Sequence, residues 1–254
     1  MEPLPVSETS TSRLGIIGAM PEEVATLRPH LEGPREITAG TFDVTEGTLQ
    51  GHPVRLAVCG VGKVNAAALA QQLLGMGTHT LIFTGVAGAV DPTLNVGDVV
   101  VSKDALQHDV NVEPLGYAAG EVPGEPLRFD ADGALVEAAQ AAAFDAVGAE
   151  RVRVGTVASG DVFVADAGHV ERLRESFGAA CAEMEGAAVA QVAHRWQTPW
   201  VVVRSISDTA DHQASVDFRA FTVKAAQTAE AVVLGILSRL TVAQTQPNEV
   251  GRLR

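Results

Sequence analysis

THTLIFTGVAGAV, residues 78–90, is an apolar run that ends in a glycine turn. Its apolar residues sit at neighbouring positions rather than at every second one. A strand reads this way when both faces are buried, as in the middle of a parallel sheet covered by helices. The run therefore predicts a central strand. TPWVVVRSIS (198–207) reads in the same way, and RLGIIGAM (13–20) is a shorter buried strand that ends in a turn. Two further strands are expected in VGDVVVSKDALQHDV (96–110) and RVRVGTVASGDVFV (151–164). FDVTEGTLQ and PVRLAVCG flank Gln50-Gly51-His52 as a hairpin.

Ala- and Leu-rich segments alternate with these strands at 61–77, 131–147, 165–177 and 218–240. Pro21 suits the first turn of another helix, with Glu22 and Glu23 at the end where negative charge is favoured. In CAEMEGAAVAQVAHRW (181–196) a short strand passes into a helix. Apolar strands alternating with helices imply an α/β fold: a single-domain three-layer α/β/α sandwich around a central mixed, largely parallel twisted sheet. The hairpin makes the sheet mixed. No linker rich in Pro, Gly or Ser divides the chain, so one domain is expected over 13–241. Residues 1–12 read as a disordered leader and 242–254 as a flexible tail. The longest irregular stretch, 113–129, is of a length often found in functional or interface loops.

Composition narrows the function. The 254 residues carry a formal net charge of -13, which would repel a phosphate backbone, and only 4% are aromatic, too few for a stacking platform. Nucleic acid is not the expected partner; a small molecule is. No apolar run is long enough for a membrane span, and MEPLPVSETSTSR lacks a basic region followed by an apolar one. Cys59 and Cys181, both in apolar surroundings, read as reduced buried thiols of a cytoplasmic protein.

In open α/β sheets ligands bind beyond the carboxyl ends of the strands. Those ends here carry Met20 and Glu23; Val86, Ala87 and Gly88; Asp161 and Phe163; Glu183, Met184 and Glu185; and Arg204, Ser207 and Asp208. Three acids, Glu23, Glu185 and Asp208, would converge with an arginine. Taken singly, Glu23 could complement a helix dipole and Asp208 could cap a turn. Arg204 inside an apolar strand needs a carboxylate partner, and Glu183 is the candidate. GVGKVN (60–65) fails as a phosphate loop, because Ala57 stands where its first glycine should be and Val64 where its hydroxyl should be. HExxH, CxxC and GxSxG are absent, so neither a metal nor a hydrolase nucleophile is expected.

With these pieces in order, the chain resembles the 5'-methylthioadenosine/S-adenosylhomocysteine nucleosidases of the nucleoside phosphorylase family. The stretches that carry the resemblance are LGIIGAMPEEV, GVGKVNAA, FTGVAGAV with LNVGDVVVS, ASGDVFV, AEMEGAAVAQVA and VVVRSISDTAD. They run in family order over nearly the whole chain. The resemblance implies a nucleoside phosphorylase-like fold, hydrolysis of the N-glycosidic bond, no cofactor, and a homodimer. It casts Glu23 as the base that activates water, Asp208 as the acid that protonates purine N7, and Arg204 as a group near the water. Glu185 would take the ribose 2'-hydroxyl, with Met184 against the sugar. Phe163 would stack on the purine, and the backbone at Val164 would read its edge. Met20 and Phe218 would wall the sugar and the 5'-substituent.

Val86, Ala87, Gly88, Glu183 and Ser207 complete the implied substrate site. Leu106, Gln107 and Pro123 would reach the 5'-pocket of a partner subunit. The chain departs from the family pattern at Val86, where many members carry serine, and at Gln107, where an aromatic often precedes His108-Asp109. Futalosine or aminodeoxyfutalosine nucleosidases and purine nucleoside phosphorylases are the neighbouring readings. A non-catalytic nucleoside binder would lack one of the three acids.

Overall fold

The computed structural model describes residues 13–208 and 214–240. The first strand, β1 (Arg13–Gly18), leads into the short helix α1 (Pro21–Ala25). A three-stranded meander follows: β2 (Glu32–Ala39), β3 (Phe42–Leu49) and β4 (His52–Val58). The expected hairpin is β3–β4. Leu49 pairs with His52, and the two turn residues Gln50 (φ 50°) and Gly51 (φ 80°) both take left-handed backbone, as a tight two-residue hairpin turn requires.

Next come α2 (Lys63–Gly75), β5 (Thr78–Ala89), β6 (Val99–Gln107) and the two-residue β7 (Phe129–Asp130). The chain continues with α3 (Gly133–Val147), β8 (Val152–Ser159), α4 (Ala167–Phe177) and β9 (Ala179–Glu183). It ends with α5 (Gly186–Trp196), β10 (Trp200–Asp208) and α6 (Ala214–Leu237). The ten strands among the described residues form one mixed sheet.

Neighbouring apolar residues of the central strands point to opposite faces. On β5, Ile82 joins the core under α3 and α6, while Leu81 and Phe83 join the core under α2 and α5. On β10, Val201 and Val203 face the first layer and Val202 the second. Helices on both faces explain why these strands are apolar without alternation.

Two features go beyond the sequence reading. The first is β2, which lies over a stretch given no element above. It is an edge strand, exposed along nearly all its length, with Arg35 and Glu36 facing Glu46 and Thr45 on β3. Charges are what keeps an open edge from pairing with another chain, and they also hide it from a hydrophobic pattern. The signal that was present is Gly40-Thr41, a two-residue turn with Gly40 at φ 64°.

The second is closure. β5 pairs along its length with β1 and β10, and then at its tip with β9, antiparallel. Because β10 pairs with β6, β6 with β8 and β8 with β9, five strands form a closed circuit of hydrogen-bonded neighbours. The flanks of the sheet open outward from this ring through β1, β4, β3 and β2.

Candidate active site

β1 ends at Gly18, where a Cβ would lie only 2.7 Å from Val24 Cγ1; the glycine lets α1 fold back against the strand. That brings Glu23 inward, to 4% exposure. Its Oε2 accepts from the backbone N–H groups of Ala19 (2.6 Å) and Met20 (2.9 Å), and its Oε1 from that of Val86 (3.1 Å). Gly85 is needed here as well, since a Cβ would sit 2.5 Å from Glu23 Oε1. Burial pushes the Glu23 carboxyl above the usual glutamate range, against the nearby Arg204 charge and the three N–H donors that pull it down.

The ring closure brings Glu183 to the same place. β9 runs against β5 with Ala182 opposite Gly88, so the next residue returns toward the middle of β5, where Gly85 is paired with Arg204. The two Glu183 oxygens accept six hydrogen bonds: two from the Arg204 guanidinium (2.5 and 3.2 Å), two from Gly186 N, one from Glu185 N and one from Ser159 Oγ. Nothing is left for a ligand, so Glu183 is an internal tie although it borders the cavity.

Arg204 stands in the middle of β10. It is 1% exposed, its guanidinium lies 4.2 Å from the centroid of the Phe83 ring, and it does not line the cavity. It acts on the site through Glu183 and through its charge beneath Glu23, because the strand pairing puts it behind the wall.

Glu185 precedes α5 and is 6% exposed. Its Oε1 accepts from Gly62 N at 2.8 Å. Gly62, at φ 99°, precedes the first turn of α2, so the anion at this helix N-terminus is the chain's own carboxylate. Burial and then the charge of Glu183 push Glu185 above the usual range. Asp208, at the end of β10, is 2% exposed and accepts from Ser207 Oγ at 2.8 Å.

Glu23, Glu185 and Asp208 border one cavity of about 250 Å³. Met20, Val86, Ala87, Gly88, Phe163, Val164 and Met184 also line it, with Ser207 beside Asp208. Val61 and Val162 also line it and were not singled out from sequence. Val162 stands next to Phe163 in ASGDVFV, and Val61 lies inside GVGKVN. A wider hollow of about 630 Å³, bordered by Asp130, Asp132 and His194, is open to solvent and contains none of these acids, so volume alone does not locate the site. Among the described residues no group of three or more His, Cys, Asp or Glu is placed to hold a metal ion.

The residues expected to reach a neighbour's pocket divide. Leu106 is fully buried in its own subunit, in a core cluster with Val90, Ala158 and Val164, because its strand is covered on that face. Gln107 is held internally as well: its side chain accepts from Lys63 Nζ (2.9 Å) and donates to Gln191 Oε1 (2.6 Å). Leu106 is 0% exposed and Gln107 9%. Pro123 is exposed on the long loop. The Phe218 side chain lies outside the described residues.

A model of the phosphorylase superfamily matches residues 13–238. The 5'-methylthioadenosine/S-adenosylhomocysteine nucleosidase of Geobacillus kaustophilus is 44% identical over 228 residues, 89% of this chain and 97% of that one. The nucleosidase of the same name from Neisseria meningitidis, solved in complex with methylthio-immucillin-A, superposes with a TM-score of 0.87 at 39% identity, covering 90% of this chain and all of that one. A futalosine hydrolase mutant from Helicobacter pylori superposes with a TM-score of 0.85 at 31% identity, again over 90% of this chain and all of that one.

Proposed function

The chain belongs to the phosphorylase superfamily, and from that premise we propose that it hydrolyses the N-glycosidic bond of 5'-methylthioadenosine and S-adenosylhomocysteine. The products are adenine and the 5'-substituted ribose, as methionine salvage requires. The observation that carries the reading is the convergence of three buried carboxylates, Glu23, Glu185 and Asp208, on one cavity with apolar walls.

The chemistry needs the acids in different states. Adenine is a poor leaving group until N7 is protonated, after which the C1'–N9 bond breaks and the base departs neutral. Asp208 supplies that proton. The sugar is left with oxocarbenium character, and a water molecule attacks C1' while Glu23 takes its proton. Three fixed N–H donors aim the Glu23 carboxylate. Glu185 accepts the ribose 2'-hydroxyl, which orients the sugar and favours positive charge developing beside it. Met184 and Met20 pack against the sugar, Phe163 covers the purine, and the Val164 backbone meets its edge.

Hydrolysis is favoured over phosphorolysis because, among the described residues, no lysine or arginine lines the cavity, and a phosphate dianion there would face Glu23. Adenine release from 5'-methylthioadenosine is expected to run at the same rate with and without phosphate. Strict phosphate dependence with a sugar phosphate product would exclude the hydrolase. Futalosine-type substrates form the second reading, supported by the likeness to futalosine hydrolase. Including them in the same assay separates the two by rate.

The working form is inferred to be a cytoplasmic homodimer. Phe163, Val162 and Val61 at the cavity wall, with Val64 on the adjoining turn of α2, leave large apolar side chains exposed in a single subunit, and a second copy would cover them. Cys59 and Cys181, both free and buried, suit a reducing compartment. Sedimentation is expected to give twice the 26.4 kDa chain mass, and a monomer at micromolar concentration would exclude the dimer.

A further inference from the structure

Three segments far apart in sequence meet beside the cavity in a closed triangle of hydrogen bonds. The backbone N–H of Lys63, at the start of α2, donates to Asp161 Oδ1 at 2.9 Å. The backbone N–H of Asp161, just after β8, donates to Asp109 Oδ2 at 2.9 Å. Lys63 Nζ closes the figure on Asp109 Oδ1 at 2.6 Å. Both oxygens of Asp109 are used, one to each of the other corners. The ion pair is only partly open to water, with the Lys63 side chain 15% exposed and that of Asp109 22%, so solvent screens it less than a free surface pair.

Each corner that supplies a backbone donor adjoins the cavity. Gly62, one residue before Lys63, donates its N–H to Glu185. Val162 and Phe163, directly after Asp161, line the wall. Gly62 also packs against Asp161, since a Cβ there would lie 3.2 Å from Asp161 Oδ1. Moving Asp109 would therefore loosen two turns together: the one that fixes Glu185 and the one that carries Phe163.

We propose that the Lys63–Asp109–Asp161 triangle is a positioning device for the reaction, with Asp109 and Lys63 acting on the ribose contact through Gly62 and Glu185. None of the three needs to touch the substrate. The inference rests on the reading of Glu185 as the group that takes the 2'-hydroxyl.

The test compares Asp109→Ala, Lys63→Met, their double variant and Lys63→Arg, using 5'-methylthioadenosine and its 2'-deoxy counterpart as substrates. Misplacing a positioned group by about 1 Å costs roughly 100-fold, so Asp109→Ala is expected to lower kcat/KM for the ribose substrate by about that factor. The 2'-deoxy substrate should lose less than about fivefold, because it lacks the hydroxyl that Glu185 would hold. Thermal midpoints are expected to stay within about 3 °C of wild type. The double variant should lose clearly less than the product of the two single losses, since the two residues share one ion pair. Lys63→Arg, which keeps the charge, should retain most activity.

Equal losses on both substrates, or losses that multiply in the double variant, would overturn the proposal. Glu185→Gln is the control. If it leaves the preference for ribose over 2'-deoxyribose unchanged, the reading of Glu185 has failed, and the double variant alone then decides whether Lys63 and Asp109 act as a unit.

Discussion

Replacing Asp208 by asparagine is expected to lower kcat by about 1,000-fold while KM for 5'-methylthioadenosine changes by less than about threefold; general acid catalysis contributes roughly 100- to 10,000-fold. Asparagine has nearly the same shape and can still accept from Ser207 Oγ, so the buried corner at the end of β10 keeps its packing. What it lacks is a proton to give to N7. The loss therefore falls on the step that breaks the C1'–N9 bond, not on binding. A ribosyl substrate whose leaving group departs without protonation is expected to lose far less. Steady-state assays of adenine release give kcat and KM directly. An unchanged kcat with a raised KM would remove Asp208 from the acid role.

The second large effect separates the two glutamates of CAEMEG. Glu183→Ala is expected to destabilise the fold by about 3–5 kcal/mol, the usual cost of stranding one partner of a buried ion pair. Arg204, 1% exposed, would keep its charge with no carboxylate bonded to it, and Gly186 N would lose its acceptor. For a chain of this size that lowers the thermal midpoint by roughly 10 °C.

Glu185→Gln behaves in the opposite way. Burial and the charge of Glu183 raise the Glu185 pKa, so the folded state binds its proton more tightly than the unfolded chain does. Stability contributed by that carboxyl is lost as pH rises from the ordinary glutamate value through the raised one. At pH 8 the glutamine variant is therefore expected to melt slightly above wild type and yet to turn over poorly, a stability cost that the site carries for function. Melting curves at pH 5 and pH 8 with activity at each check the pair. A stable, inactive Glu183→Ala beside an active Glu185→Gln would reverse the assignment.

Much of this is legible in the sequence. Leu81, Ile82 and Phe83 announce a strand covered on both faces, and Gln50-Gly51 announces a hairpin, because burial and turn geometry act on adjacent residues. Arg204 within VVVRSIS demands a carboxylate for the same reason: no apolar strand can hide a guanidinium alone. β2 was missed because an edge strand is selected for charge, which carries no periodic signal. Leu106 was placed at a partner's pocket by resemblance alone, and the layer that buries it, with Val90, Ala158 and Val164, is a tertiary feature.

The sequence by itself determined the layers of this protein: which runs are central strands, which segments cover them, and which acids stand at strand ends. Those follow from periodicity, and periodicity is a local record of burial. The tertiary structure decided where those acids sit and which groups they meet. Only the antiparallel pairing of β9 with the tip of β5 shows that Glu183 turns back onto Arg204 while Glu185 stays with the cavity. Only the folded chain brings Lys63, Asp109 and Asp161 together, across separations of 46, 52 and 98 residues. Contacts of that kind depend on how the ring of strands closes, and ring closure is a property of the whole sheet that no single stretch of residues encodes.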